Sequence, residues 1–270
     1  PEYLKYLKDE SSVFTSLMKA SFTTGGFFVD EFEKIFTSTL ADNPNYRKII
    51  EYLAKKKYAS RKQILDYLHL ESGGTITQLL QDLELCQFIQ SQSPYYSPDS
   101  ESKLIRYSIS DNYLQFYYKF IKARKKEIQH KGFADYDKVI PLTVYRQWMG
   151  YAFERFCRDN HRLIAEILGF KDVEYASGSF FKREFLNSDF QLDLVFERKD
   201  RVLSVCEIKY HDSLLTKATV KEYNTKLEKL KISSKQTLQR VLISAGEVPT
   251  TIKNEFDRVI TLDDIFDHVK

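Results

Sequence analysis

The sequence lacks the features of a membrane or disulfide-framework protein. No apolar run approaches the roughly 18 residues that a spanning helix needs, so no membrane partner is expected. Only three cysteines occur, Cys86, Cys157 and Cys206. Their spacing fits no zinc pattern, and an odd number without a signal peptide points to reduced thiols in a cytoplasmic protein. Each is flanked by apolar residues, so all three read as core filler. Charge of one sign is also in short supply. There are 41 Lys and Arg against 38 Asp and Glu, a net charge of +3. That balance permits a nucleic-acid partner without arguing for one, because a strongly basic domain is the clearer footprint. No G-x-x-x-x-G-K-[ST] occurs, which excludes ATP binding through a Walker A loop. Repeats and low-complexity stretches are absent. The chain begins at Pro1, not Met, which suggests a piece of a longer polypeptide.

What is present suits a folded, multidomain α+β protein. Hydrophobic residues make up 43% of the 270 residues and charged residues 29%. Eighteen Tyr and 20 Phe suggest helices packed on large side chains. Residues 1–41 read as a helical segment. Leu4, Leu7, Val13, Phe14, Leu17 and Met18 recur at helical spacing, and Phe28, Phe32, Ile35 and Phe36 follow after Gly25-Gly26. Residues 42–110 have the rhythm of a winged helix. A first helix is expected from about Tyr46 to Lys56. A second is opened by the capping box of Ser60 and Gln63, and a third runs from about Thr75 to Leu85. Two short strands, Gln87–Gln90 and Ile105–Ile109, would flank a Ser/Pro-rich wing. The third helix carries Asp82 and Glu84 and no Lys or Arg, leaving only Gln78 and Gln81 to reach base edges. Residues 111–146 form an aromatic, basic connector. From Gln115 to Arg146 it holds eight Lys and Arg, with Glu127, Asp135 and Asp137 as its acids. Such a run is either a phosphate-contacting surface or a solvated helix face.

The chemistry is concentrated in residues 147–270. A long helix is expected from about Tyr145 to Leu168, with Glu154 mid-helix. Three β-prone runs follow: Phe180–Phe185, Phe190–Glu197 and Val202–Lys209. The second alternates, with Phe190, Leu192, Leu194 and Phe196 on one side and Gln191, Asp193, Val195 and Glu197 on the other. Glu207 and Lys209 share a face of the third. Whether Asp193 joins them depends on the hairpin. A two-residue loop at Lys199-Asp200 pairs Asp193 with Cys206 and sends Glu207 to the opposite face. A three-residue loop, Lys199-Asp200-Arg201, pairs Asp193 with Glu207. The second register, or a bulge with the same result, is the expectation. It sets two carboxylates about 5 Å apart, which is unfavourable unless a cation lies between them. Asp193, Glu207 and the carbonyl of Ile208 are oxygen ligands suited to Mg²⁺ or Mn²⁺, with Glu154 a further ligand from the helix. Lys209 would orient the attacking water or stabilise charge on the phosphorane. Short Asp…Glu-X-Lys matches are common, and an exposed cross-strand ion pair is the plain alternative.

The run Gln191-Leu192-Asp193-Leu194-Val195 followed by Glu207-Ile208-Lys209 resembles the PD-(D/E)XK nuclease superfamily, with Leu192 in place of the motif's proline. Gly150-Tyr151-Ala152-Phe153-Glu154 resembles its first helix. The run from Arg106 to Phe120 is similar to a signature of a prokaryotic family of archaeal-type AAA+ ATPases, in which a P-loop domain precedes a winged helix and a nuclease-like domain. Pro1-Glu2-Tyr3-Leu4 is similar to the sensor-2 end of the ATPase module. The resemblance implies a nuclease-like mixed sheet flanked by helices. Further strands are expected at Gln239–Ser244 and Arg258–Leu262, with a crossover helix containing Tyr223 and Leu227 and a short helix after Asp263-Asp264. It implies DNA as substrate, catalysis by Asp193, Glu207 and Lys209, an upstream ATPase domain of the same polypeptide as partner, and an open question of homo-oligomers. The alternatives are a nuclease fold with weakened catalysis that binds DNA or protein, and a winged-helix regulator.

Overall fold

The computed structural model describes residues 12–40, 43–56, 58–92, 105–133, 139–182, 190–211, 215–230 and 232–268. The expectations for Leu4, Leu7, the Pro1–Leu4 run, the wing, Asp135, Asp137, Lys138 and the end of the Phe180–Phe185 strand fall outside these residues. Contacts divide the chain into two compact units. One holds the residues up to 92 with 104–142, and the other holds 143 onward.

In the first unit, aromatic side chains from residues 12–40, from the segment around Phe88 and from the helix after Asp111 pack together. The helices are α1 (Val13–Phe22), α2 (Phe27–Thr39), α3 (Pro44–Ala54), α4 (Arg61–Leu68) and α5 (Gly74–Leu85). Strands β1 (Ala59–Ser60), β2 (Ile89–Gln92) and β3 (Arg106–Ile109) form an antiparallel sheet in the order β1-β3-β2. The Ser60–Gln63 capping box closes as expected, with Ser60 N donating to Gln63 Oε1 at 2.8 Å and Gln63 N to Ser60 Oγ at 3.2 Å. Helix α6 (Asn112–Phe116) runs on through a π-helical turn, Tyr117–Ile121, a 3₁₀ turn and α7 (Lys125–Lys131). Its aromatics lock it to α2. The Phe32 and Tyr117 rings stack with centroids 4.9 Å apart, and the Tyr113 hydroxyl donates to the Phe28 carbonyl at 2.9 Å. Large rings from three sequence segments interdigitate here, which is why a division by composition does not mark a structural boundary.

Three of the connector's lysines pair with acids of their own unit. Lys122 pairs with Glu51, Lys125 with Asp30 at 3.0 Å, and Lys131 with Glu127 at 2.9 Å. On α5, Gln78 and Gln81 are both exposed, and Gln78 donates to Asp82 at 2.7 Å. Cys86 caps the C-terminal end of α5 half-exposed, so it is not core filler. Cys157 and Cys206 are buried as expected.

The second unit is a three-layer α/β body. Its sheet runs β4 (Tyr175–Lys182), β5 (Phe190–Arg198), β6 (Val202–Lys209), β7 (Thr237–Ser244), β8 (Arg258–Thr261), in that order. β4, β5 and β6 are antiparallel, while β6, β7 and β8 are parallel. One face packs on α8 (Leu142–Asp159), α9 (His161–Ile167) and α12 (Leu262–Asp267). Leu194, Phe196, Cys206, Ile208, Val241 and Ile243 meet Phe153, Cys157 and Ile164 there. The other face packs on α10 (Lys217–Glu228), the crossover helix, and on α11 (Thr250–Lys253), a short helix absent from the sequence reading. Val205, Leu203 and Leu242 meet Val220, Tyr223 and Leu227 on that face. Covered on both faces, β6 and the end of β7 from Val241 to Ser244 are buried almost throughout.

Three expectations need correction. The long helix breaks at Asn160, whose side-chain amide donates to the Phe156 carbonyl at 2.8 Å and competes with the helical ladder. The last helix begins at Leu262 and contains Asp263 and Asp264, because Thr261 caps it through a box with Asp264. The clean alternation of β5 also fails. Leu192 packs on the α10 face with Val195, whereas Leu194 and Phe196 pack on the α8 face. A bulge is the cause. Gly178 pairs with Val195 and Phe180 with Leu192, so Asp193 and Leu194 together oppose Ser179 alone.

Candidate active site

The hairpin between β5 and β6 takes the three-residue loop. Arg201 adopts a left-handed conformation, φ 67°, and its N–H donates to the Arg198 carbonyl at 3.2 Å. An αL residue closing a three-residue hairpin loop fixes the register. The ladder pairs Glu197 with Leu203 and Leu194 with Cys206. One step further along it, Asp193 stands opposite Glu207. At that step Asp193 Oδ2 accepts the main-chain N–H of Ile208 at 3.0 Å. A side chain can take a neighbouring strand's amide only where the strands have come apart, so the Asp193 carboxyl lies in the gap between β5 and β6. The bulge toward β4 sits at the same residue, and both irregularities aim Asp193 at this spot.

Glu207 is fully buried, and Asp193 is 8% exposed. Buried charge needs partners, and Glu207 has two. Lys209 Nζ lies 2.9 Å from Oε1. Lys226 of α10 donates to both carboxylate oxygens, at 2.9 and 3.0 Å. Among the described residues, Asp193 forms no ion pair of this kind with a cation. Desolvation, then the charge of Glu207, then that of Glu154, push its pKa up to about 7 against the pull of the Ile208 amide. Burial draws the Lys209 ammonium down, but the charge and hydrogen bond of Glu207 outweigh it and the net shift is upward.

The raised Asp193 has a consequence for the metal-free protein. A carboxyl that holds its proton more tightly folded than unfolded makes the fold bind more protons between the two pKa values. The contribution of Asp193 to stability is therefore most favourable below the unfolded value near pH ~4 and is lost as pH rises through about 7. Urea midpoints of metal-free wild type and Asp193→Asn across pH 4.5 to 8 check this, and a gap between them that narrows with rising pH contradicts it.

The structure thus brings Asp193, Glu207, Lys209 and the Ile208 main chain together. Glu154 stands on α8, close enough to affect Asp193, with its carboxylate 3.5 Å from Arg158 Nη1 one helical turn on. Among the described residues, no three of His, Cys, Asp and Glu are grouped to hold a metal ion. The expected set of Asp193, Glu207, Ile208 and Glu154 is therefore not drawn together as one cluster. The donors that do converge are hard oxygens, which fits Mg²⁺ or Mn²⁺.

Two residues went unread in the sequence. Lys226 follows Tyr223 by three positions. Tyr223 docks α10 on β6 by donating to the Val205 carbonyl at 2.8 Å, which carries Lys226 to Glu207. Its place on the crossover helix, beside the inward Tyr223, was the available signal. His211 lies just past Lys209, with Nε2 3.0 Å from Ser244 Oγ. Ser244 Oγ also lies 2.9 Å from the Gly246 carbonyl and accepts the Gly246 N–H at 3.3 Å, so it closes the turn after β7.

No known family's sequence model matches the chain. Over 114 residues, 42% of the chain, it is 29% identical to uncharacterized protein MJECL04 of Methanocaldococcus jannaschii, and it spans a quarter (25%) of that protein's length. Among solved structures it is similar to the SdaI restriction endonuclease with a TM-score of 0.26 and 10% identity, over 88% of this chain and 89% of that one. A likeness that loose carries no weight about mechanism, and the geometry stands on its own.

Proposed function

We propose that the second unit is a metal-dependent phosphodiesterase of the PD-(D/E)XK type acting on DNA. The observation that carries this reading is the opposition of two buried carboxylates, Asp193 and Glu207, with Lys209 bound to the second. Structural acids are rarely buried in this arrangement, and perturbed carboxyls beside a specific charge partner mark functional sites. Mg²⁺ or Mn²⁺ held by Asp193, Glu207 and the Ile208 carbonyl would supply Lewis acidity to a phosphate oxygen. Lys209 orients the water that attacks phosphorus and offsets negative charge as the new P–O bond forms and the ester P–O bond breaks. Glu207 keeps Lys209 charged for that role. The Arg106–Phe120 run further supports reading the chain as the C-terminal region of an AAA+ ATPase.

Wild-type protein should bind Mn²⁺ and nick supercoiled plasmid, and Asp193→Ala should do neither. Calorimetric titration and a gel assay check both, and the reading fails for a wild type that takes up no metal and leaves the plasmid intact. A second reading, a nuclease fold that binds without cutting, draws on the Glu154–Arg158 pair, which withholds a third acid. It predicts salt-dependent duplex binding by wild type with no nicking at any Mn²⁺ concentration.

A further inference from the structure

We infer that Lys226 is a mobile second ammonium of this site, which holds Glu207 while no metal is bound and moves onto the scissile phosphate when one is. The inference rests on the phosphodiesterase reading and extends it to a residue outside the Asp…Glu-X-Lys motif.

Lys226 occupies the place of a counter-ion. Its Nζ bridges both oxygens of Glu207, at 2.9 and 3.0 Å, a position that a metal on the same carboxylate would contest. Its anchor is docked on the sheet and its head reaches two acids. Helix α10 is fixed by the Tyr223 hydroxyl on Val205, yet the Lys226 side chain is 18% exposed and has a second acid in reach. That acid is Glu222, one turn back, at 3.6 Å and 62% exposed. The ammonium can therefore leave Glu207 toward the rim without losing all ionic contact.

Charge balance points the same way. Two ionised carboxylates and two ammonium groups cancel. Adding a divalent cation leaves two positive charges. A phosphodiester brings one negative charge, and the phosphorane formed when hydroxide adds to it carries two. The pair Lys209 and Lys226 thus matches the transition state better than the substrate, the condition for raising kcat. In the step itself, the water gives up a proton to solvent as its oxygen bonds to phosphorus, the bond from phosphorus to the leaving sugar oxygen breaks, and that oxygen takes up a proton from solvent.

The test uses the whole chain and compares wild type with Lys226→Met and with Lys226→Gln, which keeps a donor for Glu207 without the charge. Mn²⁺ affinity is read by calorimetry and plasmid nicking at saturating Mn²⁺. Removing a positive charge from beside the ion should tighten Mn²⁺ binding about tenfold in either variant. Losing the same charge from the phosphorane should lower kcat by about 100-fold with KM little changed. Thermal melts show which variant is folded, and either one suffices. A purely structural Lys226 predicts the opposite sign, weaker Mn²⁺ binding as Glu207 loses its support, and that result overturns the inference. So does unchanged kcat at saturating metal. If wild type binds no Mn²⁺ at all, the phosphodiesterase reading falls and takes this inference with it. If wild type binds and nicks while the variants bind no tighter, only the role of Lys226 is lost.

Discussion

Replacing Glu207 with leucine should destabilise the protein by about 3 kcal/mol, the lower part of the range for breaking a buried ion pair. Glu207 is fully buried and serves two ammonium groups, Lys209 and Lys226. Without it, both cations remain beside an apolar wall. Their side chains are 28% and 18% exposed, so water recovers part of the loss, which keeps the effect off the top of the range. A double replacement, Glu207→Leu with Lys226→Met, should recover much of the stability, because apolar side chains of similar volume replace a buried pair at little net cost. Urea denaturation at pH 7 measures both. A single variant as stable as wild type would show that Glu207 is not held as the geometry requires.

The facing carboxyl should behave in the opposite way. Asp193→Asn is expected to stabilise the metal-free protein by roughly 2 kcal/mol at pH 8, by about 1 kcal/mol near pH 4.5, and not at all below pH ~3. The full shift from the ordinary aspartate value to about 7 corresponds to about 4 kcal/mol as an upper bound. Part of that is relieved by local rearrangement in a real protein. The asparagine Oδ1 can still accept the Ile208 amide, so the strand gap keeps its one hydrogen bond across it. Metal uptake should be lost at the same time. A site residue whose removal strengthens the fold while ending metal binding is the signature of a carboxylate retained for chemistry. If Asp193→Asn destabilises at pH 8, the two carboxyls do not oppose each other and the site is structural.

These two carboxyls also show how far the sequence reaches. Glu207 and Lys209 lie two apart in a run of β-prone residues, and a strand must put them on one side. The Ser60–Gln63 box and the run from Val202 to Lys209 were likewise legible, because their signals are local. Leu192 was misread because the bulge at Asp193 is a property of β5 and β4 together, and no period-two count can register an extra residue opposite a partner strand. Whether the connector's lysines form a phosphate-contacting surface or a solvated helix face was not legible for a similar reason. Their acids, Glu51 and Asp30, are far away in sequence, and only folding brings them within reach. Lys226 was passed over because the distance that matters is across the helix–sheet interface to Glu207, not along the chain.

By itself, then, the sequence determined the elements and the chemical types: a β-hairpin bearing Asp193, Glu207 and Lys209, a crossover helix centred on Tyr223, and no Walker A loop. Periodicity, capping and the motif are short-range properties, set by residues a few positions apart. The tertiary structure decided the rest. The αL turn at Arg201 chose the register, the divergence of β5 from β6 sank Asp193 between the strands, and the docking of α10 delivered a second ammonium to Glu207. Those are long-range pairings, in which one residue of slip, or one turn of a helix, separates two charges that converge from two that never meet.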